Sequence, residues 1–292
     1  MSMPFAASWH RKMIFLAAVA FMVSTAFFLA WQHYFPVTAG EGWTWKIYLD
    51  DIDRVSALAR DEQGTLYLTQ ERNNQRGKLL KQLPNGTLQE VMAGLDKPDG
   101  LAIFRSGILI SQESSESPVL WLHQGQKTEL FRGRHIEGIA SDGKFIYAIE
   151  DVSQAGRLLR YDSETRQVGV LREDLKVGEG LAICPDGRIF YSEKKSGWIK
   201  LYRPALDVDP VAHGGLNQPG FLLCNQEGLW ITEDATHGAR LLHADTGGTL
   251  LVILEHLRSG QTILSVAPGR LLVAEQGRKR ILEISRIPPG KQ

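Results

Sequence analysis

The sequence predicts an all-β fold, a six-bladed β-propeller preceded by an N-terminal transmembrane helix. Three observations predict it: a six-fold internal repeat, a second motif that recurs in register with it, and one long apolar run near the N-terminus. The repeat comprises six apolar segments, Leu66–Glu71, Ile108–Glu113, Ile146–Asp151, Ile189–Lys194, Leu229–Asp234 and Leu271–Gln276. Their fifth positions are Gln70, Gln112, Glu150, Glu193, Glu233 and Glu275, spaced by 42, 38, 43, 40 and 42 residues. A strand-like unit repeated about every 40 residues is the mark of a propeller.

The second motif opens each unit. It reads Asp99-Gly100-Leu101-Ala102, Glu137-Gly138-Ile139-Ala140 and Glu179-Gly180-Leu181-Ala182, with looser versions beginning at Ser56, Pro219 and Thr262. A turn rich in Gly and Asp follows each, as at Asp142-Gly143 and Asp186-Gly187. These residues supply the turn geometry of a hairpin. Each unit therefore begins as strand A, turn, strand B. A third strand follows, for example Lys78–Lys81, Val119–Leu122 and Arg240–His243, and a fourth in blades 1 to 5. Blade 6 lacks its fourth strand. The alternating stretch Trp43–Leu49 can supply it, so that pairing the two chain ends closes the ring and leaves no open edge.

The apolar run extends from Met13 to Ala30, with only Ser24 and Thr25 polar, and Trp31 continues it. About 20 apolar residues cross a bilayer, and the absence of a polar face argues against a helix of a soluble core. His10, Arg11 and Lys12 precede the run, which predicts a cytoplasmic N-terminus and a translocated remainder. The rival is a signal peptide cut after Val37-Thr38-Ala39, although signal cores are usually shorter. The predicted organisation is a short cytoplasmic N-terminus (1–12), a transmembrane signal anchor (13–31), a linker (32–40), the propeller (41–287) and a tail (288–292).

Thirty-three basic and 33 acidic residues give no net charge, which argues against a nucleic-acid partner. The two cysteines, Cys184 and Cys224, sit at equivalent positions on strand A of adjacent blades. Neighbouring inner strands are expected to stand too far apart for a disulfide, which needs Cα atoms within about 7 Å. Both are read as buried thiols.

In an antiparallel hairpin the start of strand A lies beside the end of strand B. Two acidic columns therefore fall on one face of the disc. Asp99, Glu137 and Glu179 form the first, around the channel mouth, and Glu150, Glu193, Glu233 and Glu275 belong to the second. Converging carboxylates repel unless protonated or neutralised, and oxygen-rich clusters suit a hard divalent cation such as Ca²⁺. Asp99, Glu137 and Glu179 are the candidate metal ligands, with local capping of loop backbone as the plainer alternative. The second column recurs in all six blades as Gln or Glu, which points first to architecture; Glu193 and Glu233, with His135, are the candidate ligand contacts. Asp234 and His237 would need a nearby serine to make a hydrolase triad, and no nucleophile elbow accompanies them.

Residues 178–194, GEGLAICPDGRIFYSEK, resemble the inner hairpin of the SMP-30/gluconolactonase/strictosidine-synthase-like superfamily of six-bladed propellers, with the NHL-type propellers as a near alternative. Asp96–Glu113 and Leu216–Asp234 share the plan. In the lactonase branch this resemblance implies a channel cation held from blades 1, 4 and 5, and the matching positions are Ser56, Glu179 and Pro219. Only Glu179 keeps a ligating side chain there, and Asp99 and Glu137 would shift the site toward blades 2 and 3. Two functions follow as expectations. One is a membrane-anchored, extracytoplasmic module that binds a small ligand or a protein. The other is a Ca²⁺-dependent lactonase or esterase in which Glu137 or Glu179 serves as catalytic base.

Overall fold

The computed structural model describes residues 5–288 and 290; the other ends of the expected N-terminal segment and tail lie outside them. Two compact units emerge, Met1–Val37 and Thr38–Gln292.

The first unit holds helix α1 (Phe5–Tyr34). Its stretch Trp9–Trp31 has a mean hydropathy of 2.4 and no buried part, so by length and composition it suits a membrane span or a signal segment.

The second unit is a six-bladed propeller of antiparallel strands. After β1 (Thr38–Ala39) and β2 (Trp43–Leu49), blade 1 is built from β3 (Val55–Arg60), β4 (Leu66–Gln70), β5 (Gly77–Gln82) and β6 (Leu88–Leu95). Blade 2 follows as β7 (Gly100–Phe104), β8 (Gly107–Ser111), β9 (Ser117–His123) and β10 (Gln126–Gly133). Blade 3 is β11 (Ile136–Ser141), β12 (Phe145–Glu150), β13 (Gly156–Asp162) and β14 (Gln167–Leu175). Blade 4 is β15 (Gly178–Ile183), β16 (Ile189–Glu193), β17 (Trp198–Leu201) and β18 (Val211–His213). Blade 5 is β19 (Pro219–Asn225), β20 (Gly228–Glu233), β21 (Ala239–Ala244) and β22 (Leu250–Leu257). Blade 6 has β23 (Gly260–Ala267), β24 (Arg270–Glu275) and β25 (Arg280–Arg286).

The ring closes as the alternation of Trp43–Leu49 predicts: β2 pairs antiparallel with β25, from Trp43 opposite Arg286 to Ile47 opposite Leu282. An addition that the repeat does not announce is β1, which extends blade 5 to five strands by setting Thr38 opposite Glu255.

Strand periodicity explains the packing. Side chains alternate between the two faces of a sheet, and both faces of a blade meet a neighbour. On β8, Leu109 packs with Ile136 and Ile146 of blade 3, whereas Ile108 and Ile110 pack with Ala57 and Leu79 of blade 1. Every residue of this strand is buried. The core is thus a set of inter-blade seams, which is why the B strands are apolar without alternation.

Cys184 and Cys224 are joined in a disulfide with their Cα atoms 4.8 Å apart. This corrects the expectation of two unbonded thiols. Inner strands converge on the propeller axis far more closely than sheets that merely stack, which lie about 10 Å apart. A Cβ placed on Gly180 would come within 2.5 Å of the Gly220 carbonyl oxygen on the next blade.

Candidate functional site

The strand registers define which residues ring the channel mouth. Val55 lies opposite Gln70, Ile136 opposite Glu150, Gly178 opposite Glu193, Pro219 opposite Glu233 and Gly260 opposite Glu275. The residue after each is the ring position, giving Ser56, Glu137, Glu179, Gly220 and Gln261, with Asp99 at the head of β7. Blades 5 and 6 therefore contribute Gly220 and Gln261, one residue away from the Pro219 and Thr262 that the motif alignment suggests. Asp99, Glu137, Glu179 and Gln261 are all at least nine-tenths buried.

A further column comes from the sixth repeat positions, Glu71, Glu113, Asp151, Lys194, Asp234 and Gln276. The fifth and sixth positions of a strand point to opposite sides, so as the fifth residue enters a blade seam the sixth turns to the channel. Each sixth residue hangs by its backbone N–H, at 2.8–3.0 Å, from the carbonyl of a loop residue ahead of strand A: Arg54, Lys97, His135, Val177, Gln218 or Ser259. All six acceptors have a left-handed backbone, with φ between 48° and 62°. For non-glycine residues this conformation is uncommon, and its recurrence in every blade shows one shared loop geometry presenting one side chain per blade.

These side chains surround a cavity of about 310 Å³. Six carboxylates line it, those of Glu71, Asp99, Glu113, Glu137, Asp151 and Asp234, with Lys97 and Lys194 as the lysines. Lys194 Nζ donates to Glu179 Oε1 and to Asp234 Oδ2, both at 2.5 Å. Lys97 pairs with Glu113 and stands 3.5 Å from Glu71. Gln261 Nε2 donates to Asp234 Oδ1 at 2.8 Å, and Ser56 donates to Asp99. Glu137 Oε2 and Glu179 Oε2 are buried without a hydrogen-bond partner among the described residues.

The charges follow from this crowding. Burial, then the neighbouring charges of Glu179, Asp99 and Asp151, push Glu137 well above the usual carboxylate range. Burial likewise raises Asp99 and Asp151, and lifts Glu71 to about 7, with Asp99 adding to the last. Burial disfavours the charge on Lys194, but Glu179, Asp234 and Glu137 outweigh it and hold the ammonium protonated.

The sequence-derived candidates separate. Asp99 and Glu137 both stand in the cavity wall, where the Asp99 charge adds to the upward push on Glu137. Glu179 is engaged by Lys194. His135 supplies the loop carbonyl that holds Asp151 at 2.9 Å. Glu233 is fully buried and holds Arg240 Nε at 2.8 Å and the Asn217 N–H at 2.7 Å. Glu150 makes the equivalent bonds to Arg157, at 2.6 and 2.7 Å, and to the Arg134 N–H. Glu193 meets Lys200 at 3.3 Å and keeps one buried oxygen without a partner. Asp234 bonds Lys194 and Gln261, and His237 is exposed. The cavity residues the motifs pass over are Glu71, Lys97, Glu113, Asp151, Lys194 and Gln261.

Comparison with known proteins agrees with the propeller fold. Residues 141–200, from the end of β11 through β12–β16 and most of β17, match the family model for strictosidine synthase. A gluconolactonase from Xanthomonas campestris superposes with a TM-score of 0.70 at 15% identity, covering 85% of this chain and 91% of its own. The fold is that of the gluconolactonase-like six-bladed propellers. An auxiliary nutrient binding protein from Bacteroides thetaiotaomicron superposes with a TM-score of 0.64 at 14% identity, over 85% of this chain and 76% of its own. A chain of a nidogen/laminin complex gives 0.60 at 14% identity, over 75% of this chain and 95% of its own. No curated protein matches the sequence. The same fold is thus shared by proteins described by catalysis, by nutrient binding and by assembly, and the choice among these rests on the site.

The divalent cation implied by the lactonase resemblance does not fit its implied position. Ser56 spends its hydroxyl on Asp99, Gly220 has no donor, and Glu179 holds the Lys194 ammonium. Elsewhere in the mouth, Glu71, Asp99 and Glu113 bring carboxylate oxygens within 4.8 Å of one another, but Lys97 pairs with two of the three.

Proposed function

We propose that this chain is a membrane-anchored binding module whose propeller lies outside the cytoplasm and takes a positively charged ligand at the acidic channel mouth. The observation that carries this reading is the Lys194 clamp: a fixed ammonium joins Glu179 to Asp234 where a hydrolytic cation would need open donors. The remaining carboxylates exceed the lysines, and Asp151 and Glu137 line the cavity with no ion pair among the described residues. A ligand cation would relieve that repulsion and free the protons that burial now retains.

Two features support the placement. A disulfide persists in oxidising compartments, and Cys184–Cys224 lies within the propeller. His10, Arg11 and Lys12 favour a cytoplasmic N-terminus for the helix.

The test is calorimetry of the full chain in lipid nanodiscs with putrescine as a diamine probe. Saturable binding that weakens about tenfold in Asp151→Asn supports the reading. The rival is a lactone or ester hydrolase, favoured by the gluconolactonase-like fold and the buried Glu137. Absent diamine binding together with Ca²⁺-dependent lactone turnover, lost in Glu137→Gln, would replace the binding reading with that one.

A further inference from the structure

The opposite end of the channel has a different chemistry. There the six inner strands enclose a cavity of about 270 Å³ that shares no lining residue with the acidic mouth. Two residues beyond each ring position, every blade places one aliphatic side chain: Leu58, Leu101, Ile139, Leu181, Leu222 and Ile263. All six are buried, and all line this cavity. They form an apolar layer between the two ends of the channel. Beyond it the walls continue with Ile103, Ile183, Leu223 and Leu264, which are only partly buried.

The hydroxyl and charged side chains in this wall are those of Arg60, Ser141 and Thr262. Ser141 is spent on its own turn, donating to the Phe145 carbonyl and accepting the Gly143 N–H. The charged side chain at the cavity is Arg60. Its Nε donates to the Gly64 carbonyl and its Nη1 reaches the Val266 carbonyl at 3.5 Å, and among the described residues it forms no ion pair. The carboxylates beside it in sequence are engaged elsewhere: Asp61 accepts the Thr65 N–H and Glu62 the Ser106 hydroxyl. An aliphatic cavity with one guanidinium lacking a carboxylate at its wall matches an amphipathic anion. The hydrocarbon leaves water against the ring of Leu and Ile, and a carboxylate pairs with the planar guanidinium.

We infer that this cavity binds an aliphatic carboxylate, its chain seated against the six-blade aliphatic ring and its head group on Arg60. The inference does not depend on the ligand of the acidic mouth, which lies on the other side of that ring.

Calorimetry of octanoate against the full chain in phosphatidylcholine nanodiscs, with empty nanodiscs subtracted, tests it. One saturable site per chain is expected. Arg60→Gln should weaken octanoate about tenfold and leave octan-1-ol unchanged, because only the head-group contact is removed. Leu223→Trp, or Ala140→Phe if that variant does not fold, should abolish binding of both by filling the cavity. No saturable heat, or a site that survives both filling variants, overturns the inference. So does stoichiometric phospholipid extracted from the purified chain with octanoate excluded, which would assign the cavity to a lipid acyl tail.

Discussion

Lys194 of blade 4 donates to Asp234 of blade 5 at 2.5 Å, so an ammonium fixed in the wall ties two blades together at the channel mouth. The same ammonium donates to Glu179, which is fully buried and whose carboxyl burial pushes well above the usual carboxylate range even against that ammonium. Removing one partner of a buried pair costs more than the pair itself contributes, because a buried charge is left uncompensated, typically by 3–5 kcal/mol. Lys194→Met is therefore expected to lower the thermal midpoint at pH 8 by roughly 10 °C. At pH 5 the deficit should shrink, since Glu179 and its neighbours can take up protons in place of the ammonium. Thermal unfolding at the two pH values checks this, and an equal deficit at both would place the loss in packing.

The wild-type mouth should itself respond to pH. Burial raises Glu71, Asp99, Glu137 and Asp151 above their unfolded values, with Glu71 reaching about 7. A carboxyl whose folded pKa is raised contributes stability that is complete below its unfolded pKa and lost as pH rises through the folded one. Between about pH 4.5 and 7.5 these groups make stability fall with rising pH. His213 and His243, depressed by burial, pull the other way below about 6.5. Glu71→Gln should flatten the decline around pH 7, and cation affinity should rise across the same interval as protons are displaced. Thermal midpoints of wild type and variant, measured from pH 5 to 8, report the difference directly.

The second acidic column should behave as structure. Glu233 meets Arg240 and the Asn217 backbone from a fully buried position, so Glu233→Ala strands a guanidinium and an N–H in a blade seam. We expect a loss of about 3–5 kcal/mol in denaturant unfolding, with putrescine affinity per folded molecule unchanged. Asp151→Asn should show the reverse, weak binding and near-normal stability. Reduced ligand affinity in a fully folded Glu233 variant would return that residue to the binding site.

How much of this was legible in sequence depends on what each residue answers to. Closure of the ring by Trp43–Leu49 follows from strand counting, and the structure pairs it with Arg280–Arg286. The fifth repeat positions are uniform because every seam needs the same hydrogen-bonding side chain. The sixth positions, Glu71, Glu113, Asp151, Lys194, Asp234 and Gln276, are polar throughout but chemically unequal, and such asymmetry is what a site requires. That signal stood one residue beyond the column whose regularity draws the eye. Gly220 was hidden for a related reason: the Pro219-Gly220 pair mimics the Asp99-Gly100 motif at a register one residue out, and only the pairing of Pro219 with Glu233 separates them.

The disulfide needed the three-dimensional convergence of the inner strands. Its sequence separation of 40 residues corresponds to about 4 kcal/mol in the chain-entropy account of cross-links. Replacing Cys184 and Cys224 together by serine should lower the thermal midpoint by about 8–16 °C, and dithiothreitol should reproduce the effect in the wild type alone. In intact cells, maleimide labelling should require prior reduction. Labelling of both thiols without reductant would contradict an oxidising compartment.

Gly220 offers a gain-of-function test of the clamp. A Cβ at this position would lie 3.2 Å from Asp234 Cβ and 3.7 Å from Glu179 Oε1, so an introduced side chain points at both clamped carboxylates with a small local adjustment. Gly220→Asp alone adds a third carboxylate around an ammonium that already satisfies the other two, and should change metal affinity little. Combined with Lys194→Met, it converts the same place into three converging oxygen ligands, the donor set of a hard cation. Terbium luminescence should then report at least tenfold tighter binding in the double variant than in the wild type or either single variant. Equal affinity in all four proteins would mean that the ammonium does not stand where a cation would, and the argument against a metal-dependent hydrolase would lose its foundation.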